Sequence, residues 1–278
     1  MREDNHPDRW RAALPWPGPD THKHQRGRLG VVSGPAQHTG AARLAARAGL
    51  RIGAGLVRLL CPADAVPIIA ASITAVMVDA FMTPEALGRL ADPLDAVVIG
   101  PAAGVPEETA YNLAALGRTG AALVVDADAL TVFKGRPKAL FACLDRDDVL
   151  TPHEGEFERI FPGLLHHGRE TAAWEAARVA GANIILKGRE TVIAAPDGRV
   201  RVNGNGSPWL ATAGSGDVLA GMVGGLIAQR MDSFDAACAA VWMHADAAHR
   251  FGPGLIAEDL EAVLPAVLQD LAPPAGMV

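Results

Sequence analysis

The chain has 278 residues, of which 50% are hydrophobic and 20% charged, with a formal net charge of −6. This composition supports a large buried core and excludes a disordered chain, and the length fits one large α/β domain or two small ones. The negative charge argues against a broad nucleic-acid surface, although a local basic patch could still hold a phosphate. The cysteines are widely spaced with no CxxC pair, which indicates neither a disulfide framework nor a zinc site, and we interpret them as buried small hydrophobes.

No segment of the sequence has the pattern of an export signal or a membrane anchor. Residues 1–10 are charged and resemble neither a signal peptide nor a transit peptide. The longest apolar stretch, about 65–78, is shorter than the roughly 20 residues that span a bilayer. We therefore expect a cytoplasmic protein without a membrane partner.

The chain divides into a short arm and one domain. Residues 1–27 are polar and contain four prolines, which predicts an N-terminal arm that packs late or stays mobile. Residues 28–278 are predicted to form a single domain.

Strand-like and helix-like segments alternate along that domain. In chain order we predict a strand over 29–33, a helix over 40–50, strands over 56–61 and 95–99, a helix over 107–116, a strand over 122–125, and strands ending at 150 and 186. Apolar strands joined by helices predict parallel βαβ units with both sheet faces covered. Residues 191–202 predict a hairpin at an antiparallel edge of the sheet. Helical spacing then predicts a helix from 217 onward and two more over 234–250 and 257–268.

The turns after these strands carry most of the polar residues and glycines. In an open parallel sheet, ligands bind at the carboxyl ends of the strands. The turns at that edge are Ser33-Gly34, Gly100-Pro101, Asp126–Asp128, Thr151–His153, Lys187-Gly188 and the loop around Gly214. Their shared position is the main residue-based argument for an enzyme.

The strongest single motif is LATAGSGDVLAG, residues 210–221. Its two glycines, Gly214 and Gly216, let backbone N–H groups approach an anion, and the helix N-terminus adds about half a positive charge. Asp217 follows in the first turn, where a carboxylate could accept a proton from a substrate hydroxyl that attacks phosphorus. The alternative is an N-cap aspartate that stabilises the helix by about 1 kcal/mol.

Other polar residues at this edge have both functional and structural interpretations. Lys187 could bind phosphate as a point charge or be an ordinary solvated lysine. Asp126 and Asp128 could hold Mg²⁺ through water or cap the following turn, and Glu156 could lie near the same metal. His153 could hydrogen-bond a ligand or be a turn residue without function.

Two further features, a histidine and a group of glycines, are more simply explained by packing than by a role in the site. His244 lies in an alanine-rich helical pattern and is interpreted as a packed or capped histidine. The helix after Asp217 contains Gly221, Gly224 and Gly225, each of which costs about 0.5–1 kcal/mol relative to alanine. Close packing against the sheet or a nucleotide would offset that cost.

The Gly214 loop resembles the GxGD anion hole of the ribokinase-like superfamily. Within this superfamily, the sequence of residues 210–221 is similar to that of the ADP- or ATP-dependent NAD(P)H-hydrate dehydratases, which typically have LATGGTGDVLAG at this point. Further segments resemble the same branch in the same order: Gly40-Ala41, Leu44–Ala46, Gly53–Val57, Val98–Pro101, Val125–Leu130, Leu150–His153 with Glu156, and Leu186–Gly188 with Thr191. The resemblance implies a ribokinase-like three-layer sandwich, with helices on both faces of a mostly parallel sheet and an antiparallel edge hairpin.

The resemblance also implies a repair reaction, the dehydration of the S epimer of hydrated NADH or NADPH. Family members phosphorylate the C6 hydroxyl of the hydrated nicotinamide ring from ADP or ATP, and loss of phosphate restores the ring double bond. Carried over, Asp217 activates the hydroxyl, and the N–H groups of Gly214, Ser215 and Gly216 stabilise the transferring phosphoryl. The nucleotide site comprises Lys187, Gly188, Arg189, Glu190, Thr191 and Gly216; the substrate site comprises Ala41, Gly104, His153 and Asp217; Asp126 and Glu156 hold Mg²⁺, through water.

The sequence departs from the family pattern at a few positions. Ala213 stands where glycine is usual, and its Cβ is costly if that position needs a positive φ. Ser215 replaces threonine and keeps the hydroxyl. Residues 100–104, GPAAG, replace the more usual GPGxG, and Glu154 replaces a proline.

Two alternative functions remain open at this stage. One is a small-molecule kinase of the same fold that phosphorylates a vitamin precursor, and the other is a non-catalytic nucleotide-binding relative. The residues do not decide between ADP and ATP, or between NADH and NADPH hydrate. The family suggests a homo-oligomer, commonly a tetramer, and a separate NAD(P)H-hydrate epimerase is expected because 278 residues leave no room for a fused one.

Overall fold

In the computed structural model, which describes residues 3–274, one ten-stranded sheet forms the centre of the molecule. The strands are β1 (Glu3–Asp4), β2 (Arg28–Val32), β3 (Leu56–Pro62), β4 (Met77–Phe81), β5 (Ala96–Ile99), β6 (Ala122–Val125), β7 (Val149–Leu150), β8 (Asn183–Leu186), β9 (Thr191–Ala194) and β10 (Val200–Asn203). Their order is β1-β10-β9-β8-β7-β6-β5-β2-β3-β4. Strand β9 is antiparallel to both β8 and β10, and the remaining pairs are parallel.

Helices cover both faces of this sheet. They are α1 (Gly40–Arg51), α2 (Val66–Ala70), α3 (Pro84–Ala91), α4 (Glu107–Leu116), α5 (Asp128–Thr131), α6 (Pro137–Phe141), α7 (Glu154–Ile160), α8 (Arg169–Ala180), α9 (Ser215–Ala228), α10 (Ser233–Phe251) and α11 (Ala257–Leu271). Helices α1, α9, α10 and α11 share one core cluster, and α3, α4, α7 and α8 share a second. The predicted three-layer ribokinase-like sandwich is confirmed.

The strands separate these two cores because successive side chains point to opposite faces. Val31 and Val98 belong to the core under α1 and α9, whereas their neighbours Val32 and Val97 belong to the core under α3 and α4. Every residue of β5 is buried, as expected for a central parallel strand covered on both sides. The continuous apolar runs that predicted these strands follow from that double coverage.

The predicted hairpin is present, but it does not form the edge of the sheet. Strand β1 pairs parallel to β10 and lies outside the hairpin. The Asn5 side-chain amide donates to the Cys238 carbonyl at 2.8 Å, and Trp10, only 1% exposed, packs against Trp242. Within the segment predicted as an arm that packs late or stays mobile, Asn5 and Trp10 therefore anchor residues 3–10 against the domain, whereas residues 17–25 are mostly exposed.

Helix α9 packs closely because its glycines face neighbouring backbone. A methyl group at Gly221 would overlap the carbonyl of Ala45 on α1. A methyl group at Gly224 would lie 2.8 Å from Val98 Cγ2 on the sheet. The compensation expected for these helix glycines is packing against α1 and the sheet.

Within residues 3–274, none of the helices has both the length and the apolar character needed to cross a bilayer.

Candidate active site

The carboxyl ends of the parallel strands meet along one edge of the sheet. The chain proceeds from β2 to β3 and β4 on one side, and then returns to place β5 on the other side of β2. Ligands of open α/β sheets bind in the crevice at such a change of direction. The turns after β2, β5, β6, β7 and β8 therefore form the floor of the candidate site.

An ion pair lies in the middle of this edge. Lys187 Nζ, after β8, donates to Asp126 Oδ1, after β6, at 2.8 Å. The Asp126 side chain is 2% exposed and that of Lys187 21%. His153 pairs with Lys187 in an isolated parallel bridge, which sets the turn after β7 beside the turn after β8. Three turns that the sequence analysis singled out are thus brought together.

The turn after β6 is strained. Ala127 has φ 48° and ψ −115°, an uncommon conformation for a residue with a Cβ. Such strain tends to be retained at functional sites. Asp128, which follows, accepts a hydrogen bond from the Gly104 N–H at 2.8 Å. Its carboxylate therefore fixes the loop after β5, and Asp126 remains the acid that faces Lys187.

The Gly214 loop approaches the ion pair from the other side. Gly214 is the N-cap of α9 with φ +88°, in the left-handed region, where a Cβ would also lie 2.7 Å from Leu44 Cδ1. A Cβ on Gly216 would lie 3.6 Å from Lys187 Nζ and 4.0 Å from Asp126 Oδ2. Because the first N–H groups of a helix lack intrahelical acceptors, the loop brings backbone donors beside the lysine. Ser215 Oγ donates to the Leu210 carbonyl at 2.7 Å and so holds the loop in place.

Two departures from the family pattern have different backbone settings. Ala213 is not among the described residues with positive φ, so its Cβ carries no such strain. Ala102, within the GPAAG segment, has φ 51° and does carry it. The conformational cost expected for Ala213 is instead found at Ala102.

Asp217 has the electrostatic character of a general base. Burial raises the pKa of this carboxyl to about 6, with further increases from Asp126 and Asp128 that Lys187 opposes. A base with a pKa near the working pH is the most effective proton acceptor. The alternative reading as an N-cap aspartate is wrong, because Gly214 occupies the N-cap and α9 has no side-chain capping bond.

A cavity of about 690 Å³ opens beside this loop. Of the predicted nucleotide-binding residues, Lys187, Gly188, Arg189, Thr191 and Gly216 line it. Glu190 does not, and its carbonyl instead accepts from the Arg169 guanidinium at 3.2 Å. The apolar part of the cavity wall comes from Leu210, Leu219, Val241 and Ala245.

A second cavity, of about 780 Å³, lies at the change of direction between β2 and β5. Its lining includes Ser33 and Gly104, the latter a predicted substrate-binding residue. The other predicted substrate contacts, Ala41, His153 and Asp217, are in the lining of neither cavity. Ala41 is half-buried in the first turn of α1, and the His153 side chain is 55% exposed.

His153 and Glu156 form a capping box at the start of α7. His153 Nδ1 accepts from the Gly155 N–H at 2.9 Å, and Glu156 Oε2 accepts from the His153 N–H at 2.9 Å. Among residues 3–274 no group of three His, Cys, Asp or Glu side chains is arranged to hold a metal ion. One oxygen of Glu156 is thus engaged in the cap, and its metal role stays a prediction.

Glu154, where the family has proline, has a structural explanation. It forms an ion pair with Arg169, whose Nη2 also donates to the Leu186 carbonyl at 3.0 Å and the Lys187 carbonyl at 3.1 Å. The departure therefore supports the end of β8, where the lysine sits.

Three polar residues in the lining of the first cavity, Asn203, Ser207 and His244, were not predicted as site residues from the sequence. His244 is buried, as predicted; its imidazole hydrogen-bonds the Ser215 backbone, and Nε2 has no partner among the described residues. Ser207 lies in a loop whose spacing gave no signal. His244 and Ser207 reach the site through the packing of α10 and the segment before α9, which local sequence pattern does not encode.

The sheet order, the two helix layers and the glycine loop at α9 define a protein of the ribokinase-like fold. A ribokinase-like superfamily protein from Enterococcus faecalis V583 shares this fold, with a TM-score of 0.87 at 23% identity over 99% of this chain and 97% of that one. The family model for NAD(P)H-hydrate dehydratase matches residues 29–266. The chain belongs to the NAD(P)H-hydrate dehydratase family.

Similar proteins agree with this assignment. The bifunctional NAD(P)H-hydrate repair enzyme Nnr of Gloeobacter violaceus is 42% identical over 249 residues, covering 87% of this chain and 48% of that protein. The chain thus spans about half the length of the bifunctional relatives it matches. The ADP-dependent (S)-NAD(P)H-hydrate dehydratase of Xanthomonas campestris is 35% identical over 93% of this chain and 94% of its own length. An ADP/ATP-dependent NAD(P)H-hydrate dehydratase from Bacillus subtilis, co-crystallised with ATP/Mg²⁺, has a TM-score of 0.83 at 26% identity, covering 97% and 98% of the two chains.

Proposed function

We propose that this protein dehydrates the S epimer of hydrated NADH or NADPH at the expense of ADP or ATP. The observation that carries the proposal is the position of Asp217, a carboxyl with a pKa raised to about 6, in the first turn of α9 beside the Lys187–Asp126 pair. A carboxylate of this basicity next to a phosphate-binding loop suits the deprotonation of a substrate alcohol during phosphoryl transfer.

The donor nucleotide occupies the first cavity in this proposal. Its phosphates lie at Lys187 and the N-terminus of α9, where the ammonium and the backbone N–H groups of Gly214, Ser215 and Gly216 offset their charge. The nucleoside extends toward the apolar wall. Lys187 then exchanges part of its interaction with Asp126 for the phosphate.

The hydrated dinucleotide reaches Asp217 from the second cavity. Gly104 lines that cavity and is held by Asp128, one of the two acids that raise the Asp217 pKa. The hydrated ring would therefore lie between the Gly104 loop and α9. Ala41 and His153, in the neighbouring turns, stay predictions as substrate contacts.

Each atom in the proposed reaction has a defined course. Asp217 takes the proton of the C6 hydroxyl while the hydroxyl oxygen attacks the terminal phosphorus of the donor. The bond between that phosphorus and the bridging oxygen breaks, which leaves AMP from ADP or ADP from ATP. The C6–O bond then breaks with departure of inorganic phosphate, the C5 proton passes to solvent, and the electrons of the C5–H bond form the ring double bond. Phosphate is a far better leaving group than hydroxide, which explains why the donor is consumed.

Mg²⁺ would accompany the nucleotide phosphates and neutralise charge that develops on them. Magnesium needs few direct carboxylates and keeps several waters. Asp126 fits such a role through water, because Oδ1 binds Lys187 and Oδ2 lies on the side of Gly216. The structure favours Asp126 over Glu156 for this contact.

The decisive test supplies the purified protein with hydrated NADH, Mg²⁺ and either nucleotide. Recovery of reduced-ring absorbance with release of one phosphate per NADH supports the proposal. A stable phosphorylated product would instead indicate a small-molecule kinase, and nucleotide binding without turnover a non-catalytic relative. The same assay with NADPH hydrate, and with ADP against ATP, defines both preferences.

The remaining expectations concern the setting of the enzyme. A cytoplasmic location, a homo-oligomeric and commonly tetrameric state, and a separate epimerase that interconverts the two hydrate epimers all stay predictions. A sizing measurement and an epimer-specific assay test the last two.

A further inference from the structure

Two buried polar atoms without hydrogen-bond partners belong to side chains in the lining of the first cavity. They are His244 Nε2 and Ser207 Oγ. His244 is 5% exposed and Ser207 is 8% exposed, and neither atom has a hydrogen-bond partner within residues 3–274. Buried polar atoms are satisfied in the large majority of cases, and each exception needs a physical explanation. Because both residues belong to the lining of one cavity, a ligand bound there is a candidate partner for the two atoms.

The two atoms come from separate parts of the fold. His244 lies in the middle of α10, whereas Ser207 immediately precedes the short turn that leads to the Gly214 loop. Arg189, a predicted nucleotide contact, lies beside Ser207, because its carbonyl would be 2.4 Å from a methyl group on Gly206. The two residues therefore do not form a local sequence motif and are brought to one cavity by the fold.

His244 is electrically neutral in this position. Burial lowers the pKa of its imidazole to about 4. A hydrogen bond with the Ser215 backbone acts in the opposite direction and raises the pKa, and the charge of Lys187 lowers it further. A neutral imidazole offers one donor and one acceptor but no charge. It is thus unsuited to binding phosphate as a cation, and suited to a neutral polar group beside apolar walls.

We propose that His244 and Ser207 hydrogen-bond the nucleoside part of the phosphoryl donor, and so position the nucleotide along the cavity. This inference rests on the proposed function only in taking the first cavity as the donor site. Phosphates at Lys187 and the start of α9 direct the nucleoside along the apolar wall of Leu219 and Val241. A nucleobase or ribose has an apolar face and polar edges, which match that wall and the two unpartnered atoms.

The test compares nucleotide binding by the full chain and its variants, using titration calorimetry with AMP, ADP and ATP. His244→Phe is expected to raise all three dissociation constants by about tenfold, and Ser207→Ala by about threefold to tenfold. The factor should be the same for the three nucleotides, because they share the nucleoside. His244→Gln, which keeps a donor and an acceptor, should remain within about threefold of the wild type.

Thermal unfolding without nucleotide separates a ligand contact from a structural role. His244→Phe removes a buried nitrogen without a partner, which favours folding, but it also removes the hydrogen bond between the imidazole and the Ser215 backbone. Because the two effects oppose each other, the unfolding midpoint of His244→Phe should stay close to that of the wild type. His166→Phe is the matched control, because His166 is exposed and lies in a segment outside the first cavity. This variant should change neither the dissociation constants nor the unfolding midpoint.

The outcomes are distinguishable. Unchanged affinities in both His244→Phe and Ser207→Ala would overturn the inference and leave the proposed function standing. A lowered unfolding midpoint that His244→Gln restores, with normal binding in Ser207→Ala, would show a structural histidine and also overturn it. If His244→Phe does not fold, Ser207→Ala decides. A wild-type protein that binds none of the three nucleotides would refute the donor site itself.

Discussion

The raised pKa of Asp217 gives the activity a defined dependence on pH. A general base works only when deprotonated, so kcat/KM should rise with pH through the pKa of about 6. About one-tenth of the carboxyl is ionised at pH 5 and about nine-tenths at pH 7, which predicts an increase of about tenfold over that interval. With the ordinary value of 3.8 the carboxyl would be almost fully ionised at both pH values, and the profile would be nearly flat.

The assay is initial-rate recovery of NADH from its hydrate at saturating nucleotide, with nucleotide affinity measured at each pH. Asp217→Asn is expected to lower kcat by about 10²–10⁴-fold, the usual contribution of a general base, with nucleotide binding retained. Asp92→Asn, at an exposed position that ends α3, is the control. A flat wild-type profile between pH 5 and 7, or near-normal turnover by Asp217→Asn, would refute the reasoning.

The same shift predicts how stability responds to pH. Because the folded pKa lies above the unfolded value, the folded protein holds this proton more tightly. The resulting stabilisation is fully present below pH 3.8 and is lost as the pH rises through about 6. Asp217→Asn should therefore raise the unfolding midpoint relative to the wild type at pH 8 but not at pH 3.5, as calorimetry can measure.

Three further predictions concern the loops and the helix that build the site. Lys187→Ala should raise the Kd of ADP and ATP at least tenfold, because a partly buried cation is lost, and unchanged affinity would remove this residue from the site. Ala102→Gly should stabilise the protein by up to about 1 kcal/mol, because glycine adopts a positive φ without steric strain. Ala213→Gly should slightly destabilise it, and equal effects of the two variants in a denaturant titration would contradict this difference. Gly221→Ala should cost about 1–3 kcal/mol of unfolding free energy through overlap with α1, whereas Gly120→Ala, which has open space around it, should be nearly neutral.

Much of the fold was predictable because the central strands are buried on both faces. The strand over 122–125 and the helix over 107–116 have the predicted bounds. No element was assigned to α8, whose buried positions are all alanines, such as Ala173 and Ala177. Alanine contrasts little with its neighbours, so the helical period is weak there. Strand β4 was missed for a related reason, since most of its residues are only partly buried.

The candidate site was partly predictable from topology. Residues that follow parallel strands must meet at one edge, and this rule alone predicts that Asp126, Lys187 and the Gly214 loop lie together. The ion pair itself joins residues 61 positions apart and depends on strand order, which local pattern does not give. The capping box of His153 and Glu156 is a local feature, although its histidine cap is unusual.

The position of β1 has a consequence for biosynthesis. The hydrogen-bond partners of Asn5, on Asn203 and Cys238, come 198 and 233 residues later. A ribosome synthesises the chain from the N-terminal side, so Asn5 emerges well before Asn203 and Cys238, and its hydrogen bonds can form only after those residues are made. This edge strand is therefore synthesised before the residues that hold it, and it is among the last parts of the sheet to be fixed in place.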